Sequence, residues 1–215
     1  MLEVTWLDAD AFAEPDAYRR AYTQVPQERR ARIDSCRFVQ DRRLSLGAGL
    51  LLWEGLRKYG AEDVPLCRGK HGKPYLDGRE DLHFNLSHSG HIAALALSDR
   101  PVGIDVEQCR VFSDALLRRV FLPEELAAAP AENPDRYYTG LWTVKESVMK
   151  YFGAGLTLAP RKIRVFSGSA LRVSAEGFLC EGLRFTTLPL ADCMLTVCAE
   201  YALDPACITH HLPGR

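Results

Sequence analysis

Four residues in two short stretches have the types and spacing to do chemistry together: Asp105, Glu107, Glu146 and Lys150. Residues 101–107 (PVGIDVE) alternate Val102, Ile104 and Val106 with Gly103, Asp105 and Glu107. That is the pattern of a short buried strand, and it puts Asp105 and Glu107 on one face. Residues 141–150 (LWTVKESVMK) set Leu141, Val144 and Val148, with Phe152 beyond, on one helical stripe. Glu146 and Lys150, four apart, then share the opposite face. Two carboxylates from a strand and a third from a helix suit magnesium, a hard ion that prefers oxygen ligands and serves phosphate-bearing substrates. A lysine one turn from the third carboxylate could bind the phosphate.

Each stretch alone has an ordinary reading. A D-x-E strand face is commonly just solvated, and a Glu–Lys pair at that spacing contributes about 0.2–0.5 kcal/mol on a helix surface. Only the combination is specific.

These residues need elements to hold them. The chain has 215 residues, enough for one large domain or two small ones with a substantial core. A net charge of −1 argues against a general nucleic-acid binder. No basic leader followed by an apolar run opens the sequence, and no stretch is long and apolar enough for a membrane span. Seven cysteines without a C-x-x-C motif read as free thiols in a reducing, cytoplasmic setting.

Taken in order, residues 3–7 alternate like a strand, and residues 8–15 read as a turn and helix start. A long helix is predicted from Pro26 to about Tyr59, with Leu46, Leu50, Trp53 and Leu56 on its stripe and Gly60 as C-cap. Residues 57–66 read as a loop and residues 69–74 (GKHGKP) as a basic glycine turn. Strand patterns follow at 83–87, 91–98 and 102–107. A helix over 112–126, capped by Ser113 or Asp114, leads through residues 127–134 to a helix over 135–152. Residues 153–160 form a turn, and alternating stretches occupy 162–166, 171–173, 178–179, 183–188 and 194–201. Helices then strands, twice, predict an α+β fold in two halves, 1–100 and 101–215, without an evident residue-by-residue repeat. The tail from His210 to Arg215 is expected to be disordered.

The charge is uneven. Between Arg19 and Arg43 stand eight arginines against three acids. A solvated basic helix face would account for this, and so would an anionic ligand.

The motifs, in order, are R-x-x-x-G at Arg43, G-K-P at residues 72–74, F-N-L-S-H-S at 84–89, V-G-I-D-V-E at 102–107, W-T-V-K-E-S-x-x-K at 142–150 and G-A-G-L at 153–156. Together they resemble the 4'-phosphopantetheinyl transferase superfamily, and its surfactin-synthetase-type branch most closely. Phe121 to Glu125 is similar to the family's F-x-x-x-E segment. The resemblance covers roughly residues 26–160. It implies a pseudo-dimer of two similar α+β halves with the active site between them, working as a monomer. It implies transfer of phosphopantetheine from the co-substrate coenzyme A to a serine of an apo acyl, peptidyl or polyketide carrier protein, with magnesium and release of 3',5'-ADP.

By the same resemblance, Asp105, Glu107 and Glu146 hold the metal, while Glu146 is also the candidate base. Lys150, with Lys145, neutralises phosphate charge. Arg43 contacts the 3'-phosphate, Lys73 and Pro74 the nucleotide, and Ser87 and His88 phosphate. Arg29, Arg30 and Arg32 are rivals for a further contact. A competing zinc reading would use His83, His88 and His91, but no further Cys or His completes a standard spacing. A non-catalytic coenzyme A or carrier-binding module should lack an acidic ligand, and a magnesium-dependent nucleotide hydrolase should carry water-activating motifs such as a Walker loop. Neither mark is present.

Overall fold

The computed structural model describes residues 1–166 and 171–213. The chain begins with β1 (Leu2–Asp8), a 3-10 turn (Ala9–Ala13), α1 (Pro15–Gln24), α2 (Gln27–Ser35) and α3 (Val39–Lys58). A hairpin of β2 (Leu66–Arg68) and β3 (Pro74–Leu76) precedes β4 (His83–Ser89) and β5 (Ile92–Ser98). Then come β6 (Val102–Gln108), α4 (Asp114–Val120), α5 (Pro123–Ala127) and α6 (Pro134–Phe152). A second hairpin, β7 (Ile163–Phe166) with β8 (Arg172–Ala175), precedes β9 (Arg184–Leu190), β10 (Cys193–Ala199) and β11 (Ile208–His210).

The pairing order repeats. β1 pairs antiparallel with β5 and β5 with β4, just as β6 pairs with β10 and β10 with β9. Each half also inserts one long helix, α3 or α6, and one short hairpin between its first strand and the remaining two. The fold is therefore α+β, two similar halves forming a pseudo-dimer. Leu2 faces Ser98 and Val102 faces Ala199, so Thr5 is the counterpart of Asp105 and Leu7 that of Glu107.

The inner faces of the two sheets share a central core. Val4, Ile92, Ala94 and Ala96 from the first meet Ile104, Val106, Leu195 and Val197 from the second. Large aliphatic side chains stabilise by about 1.5–3 kcal/mol each when fully buried. On the outer face of the first sheet, Leu46, Leu50 and Leu56 of α3 cover Leu7, Leu95 and Leu97. On the outer face of the second, α6 lies over β6 and β10.

The two sheets meet at a seam built from side chains. Asn85 Oδ1, Ser87 Oγ and Ser89 Oγ, alternate residues of β4, accept the backbone N–H groups of Ile104, Val106 and Gln108 at 2.8, 3.1 and 3.1 Å. These short polar groups satisfy an edge that a neighbouring backbone would otherwise have to pair.

The structure corrects several sequence readings. The helix from Pro26 to Tyr59 is two helices, because Cys36 and Phe38 take extended backbone angles. Residues 27–35 carry one buried side chain, Ile33, so they have no stripe with which to prolong α3. Folding back instead lets Arg29 reach the carbonyl of Ser45. Gly60 does follow the helix at φ +59, as its C-capping role requires. The helix over 112–126 is also two, since Pro123 disfavours a helical Leu122 and opens α5. The basic turn is the loop of the β2–β3 hairpin. The tail is ordered at His210, which pairs with Trp6 across β1 and β11 and stacks on it at 3.9 Å; residues 214–215 lie outside the described residues.

Candidate active site

β6 turns Gly103, Asp105 and Glu107 towards α6, as its alternation requires. Gly103 is what lets the helix come so close. A Cβ there would overlap the Ser147 carbonyl and stand 2.6 Å from Tyr151 N, so no larger residue fits. α6 begins on Pro134, buries Leu141, Val144 and Val148, and ends at Gly153 with φ +63. Its remaining face carries Glu146 and Lys150 over β6. The outcome is a cleft of about 320 Å³ lined by Ser87, His88, Asp105, Glu107, Trp142, Glu146 and Lys150, with Leu86 and Val106.

Within it, Lys150 Nζ donates to Asp105 Oδ1 at 2.6 Å and to Ser87 Oγ at 2.9 Å. Ser87 Oγ itself donates to Asp105 Oδ1 at 2.9 Å. Asp105 Oδ2 is buried and has no hydrogen-bond partner among the described residues. Burial raises the Asp105 pKa against the pull of Lys150. Burial likewise raises Glu107, which the Arg110 guanidinium at 3.6 Å opposes. Glu146 is pushed up to about 7, by burial first and then by the charges of Asp105 and Glu107. Three carboxylates facing one ammonium leave two negative charges if all are ionised.

That donor set fits a hard divalent cation. The orphaned Asp105 Oδ2 is a ligand atom already stripped of water, and magnesium keeps several waters that can complete its shell. The three carboxylates stand wider apart than direct ligands of one ion would. Among the described residues, the groups whose ligand atoms lie within 4.8 Å of one another are Asp8, Asp10, His91 and His91, Asp192, Cys193. Ion pairing accounts for those, with His91 held between Asp8 and Asp192 at 3.0 and 2.9 Å. His83 lines a separate cavity and His88 the acidic cleft, so the three histidines of the zinc reading do not converge.

Other expected site residues lie elsewhere. Lys145 is fully buried and pairs with Glu125 at 2.7 Å, with the carbonyls of Val120 and Pro160 as further acceptors; it does not face the cleft. Lys73 turns its ammonium inward to the carbonyls of Val102 and Tyr151, both at 3.0 Å, and burial pushes its pKa down to about 8. Pro74 lines the cavity beside it, together with His83 and Tyr151. Arg43 lines a different cavity, formed with Tyr18, Tyr22, Asp34 and Arg42. Ser87 has no free valence: its one O–H bonds Asp105, and Val106 N–H and Lys150 use its two lone pairs.

Among the rival arginines, Arg30 caps α1 through the carbonyls of Tyr22, Thr23 and Val25. Arg29 is committed to Ser45, and burial pushes its pKa down to about 10. Arg32 is exposed. His88 lines the cleft, and its pKa is lowered by desolvation and then by the charges of Arg29, Lys150 and Arg32. Sequence reasoning passed over Trp142 as a lining residue and Glu125 as the partner of Lys145. The period-two spacing of Asn85, Ser87 and Ser89 was the available signal for the seam.

Residues 101–198 match the family described as 4'-phosphopantetheinyl transferase superfamily, and residues 13–100 match 4'-phosphopantetheinyl transferase, N-terminal. The chain is 32% identical over 189 residues to 4'-phosphopantetheinyl transferase psf-1 of Bacillus pumilus, across 85% of this chain and 76% of that protein. The chain belongs to the 4'-phosphopantetheinyl transferase superfamily. It is also 35% identical over 121 residues to a 4'-phosphopantetheinyl transferase of Bacillus subtilis, across 54% of each chain. Over 99 residues it is 35% identical to 4'-phosphopantetheinyl transferase Sfp of Bacillus subtilis strain 168, covering 45% of this chain and 44% of that one. These last two matches span about half the length of each relative, and they bear out the surfactin-synthetase-type resemblance.

In this superfamily member the internal repeat does not duplicate the strand carboxylates Asp105 and Glu107. Glu54 and Lys58 on α3, with Tyr59 capping it, keep the spacing of Glu146, Lys150 and Tyr151 on α6. Lys58 even bonds a β1 carboxylate, Glu3, at 2.7 Å. Yet Thr5 and Leu7 stand where Asp105 and Glu107 do, and Cys207 and Thr209 line the corresponding cavity.

Proposed function

We propose that this chain moves the 4'-phosphopantetheine arm of coenzyme A onto a serine hydroxyl of an apo carrier protein and releases 3',5'-ADP. One observation carries the reading: the orphaned Asp105 Oδ2, Glu107, the Glu146 carboxyl at about 7 and the Lys150 ammonium share one cleft in a chain of this superfamily. The serine oxygen bonds the β-phosphorus, and the bond from that phosphorus to the bridging oxygen of the α-phosphate breaks. Glu146 takes the serine proton, and a base with a pKa near the working pH contributes about 10²–10⁴-fold. Lys150 offsets charge on the phosphate oxygens. Asp105, Glu107 and Glu146 would hold magnesium, directly or through its waters, and the ion would supply charge stabilisation at the pyrophosphate.

The exposed Arg32 is the cation suited to the nucleotide phosphates and His88, its pKa lowered, a neutral N–H donor to them, in place of Arg43 and Lys73. Supporting the division at residues 100 and 101, the two family matches abut there, although β11 returns to pair with β1. Seven free cysteines suit a reducing, cytoplasmic setting, and two similar halves within one chain suit a monomer.

The test is mass spectrometry of an apo carrier protein incubated with the chain, magnesium and coenzyme A. Carrier gain of phosphopantetheine should match 3',5'-ADP one to one, and a carrier with Ala for its serine should give neither. Release of 3',5'-ADP without any carrier would make the chain a hydrolase.

A further inference from the structure

The seam residue Ser87 is 6% exposed and makes three hydrogen bonds, which exhaust its hydroxyl. Two of them converge on the acidic cleft. Its O–H reaches Asp105 Oδ1 at 2.9 Å, and its lone pair receives Lys150 Nζ at 2.9 Å. The third receives Val106 N–H at 3.1 Å and anchors the hydroxyl to β6, the strand that bears Asp105. Asp105 is thus gripped through one oxygen only. Oδ1 takes both Ser87 and Lys150, while Oδ2 takes no donor among the described residues.

We infer that Ser87 is a positioning residue: it fixes the Asp105 carboxylate through Oδ1 so that Oδ2 is offered to a divalent cation, and its hydroxyl has no hydrogen bond left to give coenzyme A. The physical reason is rotational. A carboxylate on a single χ2 axis exchanges its oxygens readily unless one of them is held, since that torsion is broad and two-fold. Lys150 alone could hold Oδ1, but Lys150 has a long flexible stem and its ammonium is also steered by the Ser87 lone pair. Removing the hydroxyl therefore loosens both partners at once. Groups that orient a metal ligand from behind typically cost 10–100-fold in metal affinity when removed.

The inference rests on Asp105 being a metal ligand, as in the proposed function, but its readout is separate from transfer. Binding of Mn²⁺ alone, without coenzyme A or carrier, is measured by calorimetry for the wild-type chain, Ser87→Ala and Ser87→Thr. Ser87→Ala should bind Mn²⁺ about tenfold or more weakly, and Ser87→Thr, which keeps the Oγ, should recover most of the affinity. In carrier modification, the KM for coenzyme A should stay within about twofold while kcat falls, a split that removing a substrate-binding group would not give. Unchanged Mn²⁺ affinity with a raised KM for coenzyme A would overturn the inference and restore Ser87 as a phosphate contact. If Ser87→Ala does not fold, Ser87→Cys, which keeps the shape but donates weakly, carries the same comparison. Should the wild-type chain bind Mn²⁺ yet modify no carrier, the functional proposal fails while the positioning role is still read from the metal titration.

Discussion

Lys145 and Glu125 form a closed ion pair: Nζ stands 2.7 Å from Oε2, with side-chain exposures of 0% and 2%. Glu125 spends its other oxygen on Val165 N–H at 3.0 Å, and Oε2 also accepts Leu122 N–H at 2.8 Å. One carboxylate therefore ties α5, α6 and β7 together.

Breaking that pair strands a buried charge, at a cost of about 3–5 kcal/mol. Lys145→Met or Glu125→Gln should lower Tm by roughly 10 °C in a chain of this size. The folded fraction should keep the wild-type affinity for coenzyme A. Scanning calorimetry and a coenzyme A titration check both; an unchanged Tm with weakened coenzyme A binding would return Lys145 to the site.

Asp105→Ala and Glu146→Ala should each reduce carrier modification by orders of magnitude with circular dichroism unchanged. Glu107→Gln should be milder, because an amide oxygen still ligates and Glu107 is partly engaged by Arg110. Near-normal transfer by the two alanine variants at saturating magnesium would dismiss the acidic trio.

The Glu146 pKa, raised from 4.5 to about 7, has a stability consequence with a definite sign. The folded chain holds a proton there that the unfolded chain gives up near 4.5. This contribution is fully present below that value and is lost as pH rises through about 7. In EDTA, Tm should fall across that window, and Glu146→Gln should flatten the slope. His91, also raised above the usual imidazole range, contributes in the same direction, so the difference between wild type and Glu146→Gln is the quantity to read.

Arg32→Ala and His88→Ala should weaken coenzyme A more than 3'-dephospho-coenzyme A or its pyrophosphate analogues, because a charge-assisted hydrogen bond to phosphate is worth about 1.5–3 kcal/mol. Arg43→Ala should affect these ligands equally. Isothermal titration with the paired ligands decides it, and a selective effect at Arg43 would move the nucleotide towards the α1–α3 cavity.

Much of the site was legible in the chain because it depends on local periodicity. Alternation along residues 102–107 placed Asp105 and Glu107 on one face, and a spacing of four placed Glu146 beside Lys150. The repeat was hidden because little beyond the pairing order and the Glu54, Lys58, Tyr59 spacing preserves it; Thr5 and Leu7 share nothing with Asp105 and Glu107 except position. Helix continuity over 26–59 failed because local propensity does not register the chain reversal at residues 36–38. What tertiary structure alone decided was where each charge points. Lys145 and Glu146 are neighbours in sequence but about 100° apart around the helix, so one closes on Glu125 inside the core and the other opens on the cleft. Lys73 is drawn to two backbone carbonyls and Ser87 is saturated by three partners, each brought in from a distant segment. A residue's type and local pattern set what it can do, while long-range contacts set what it has left free to do it with.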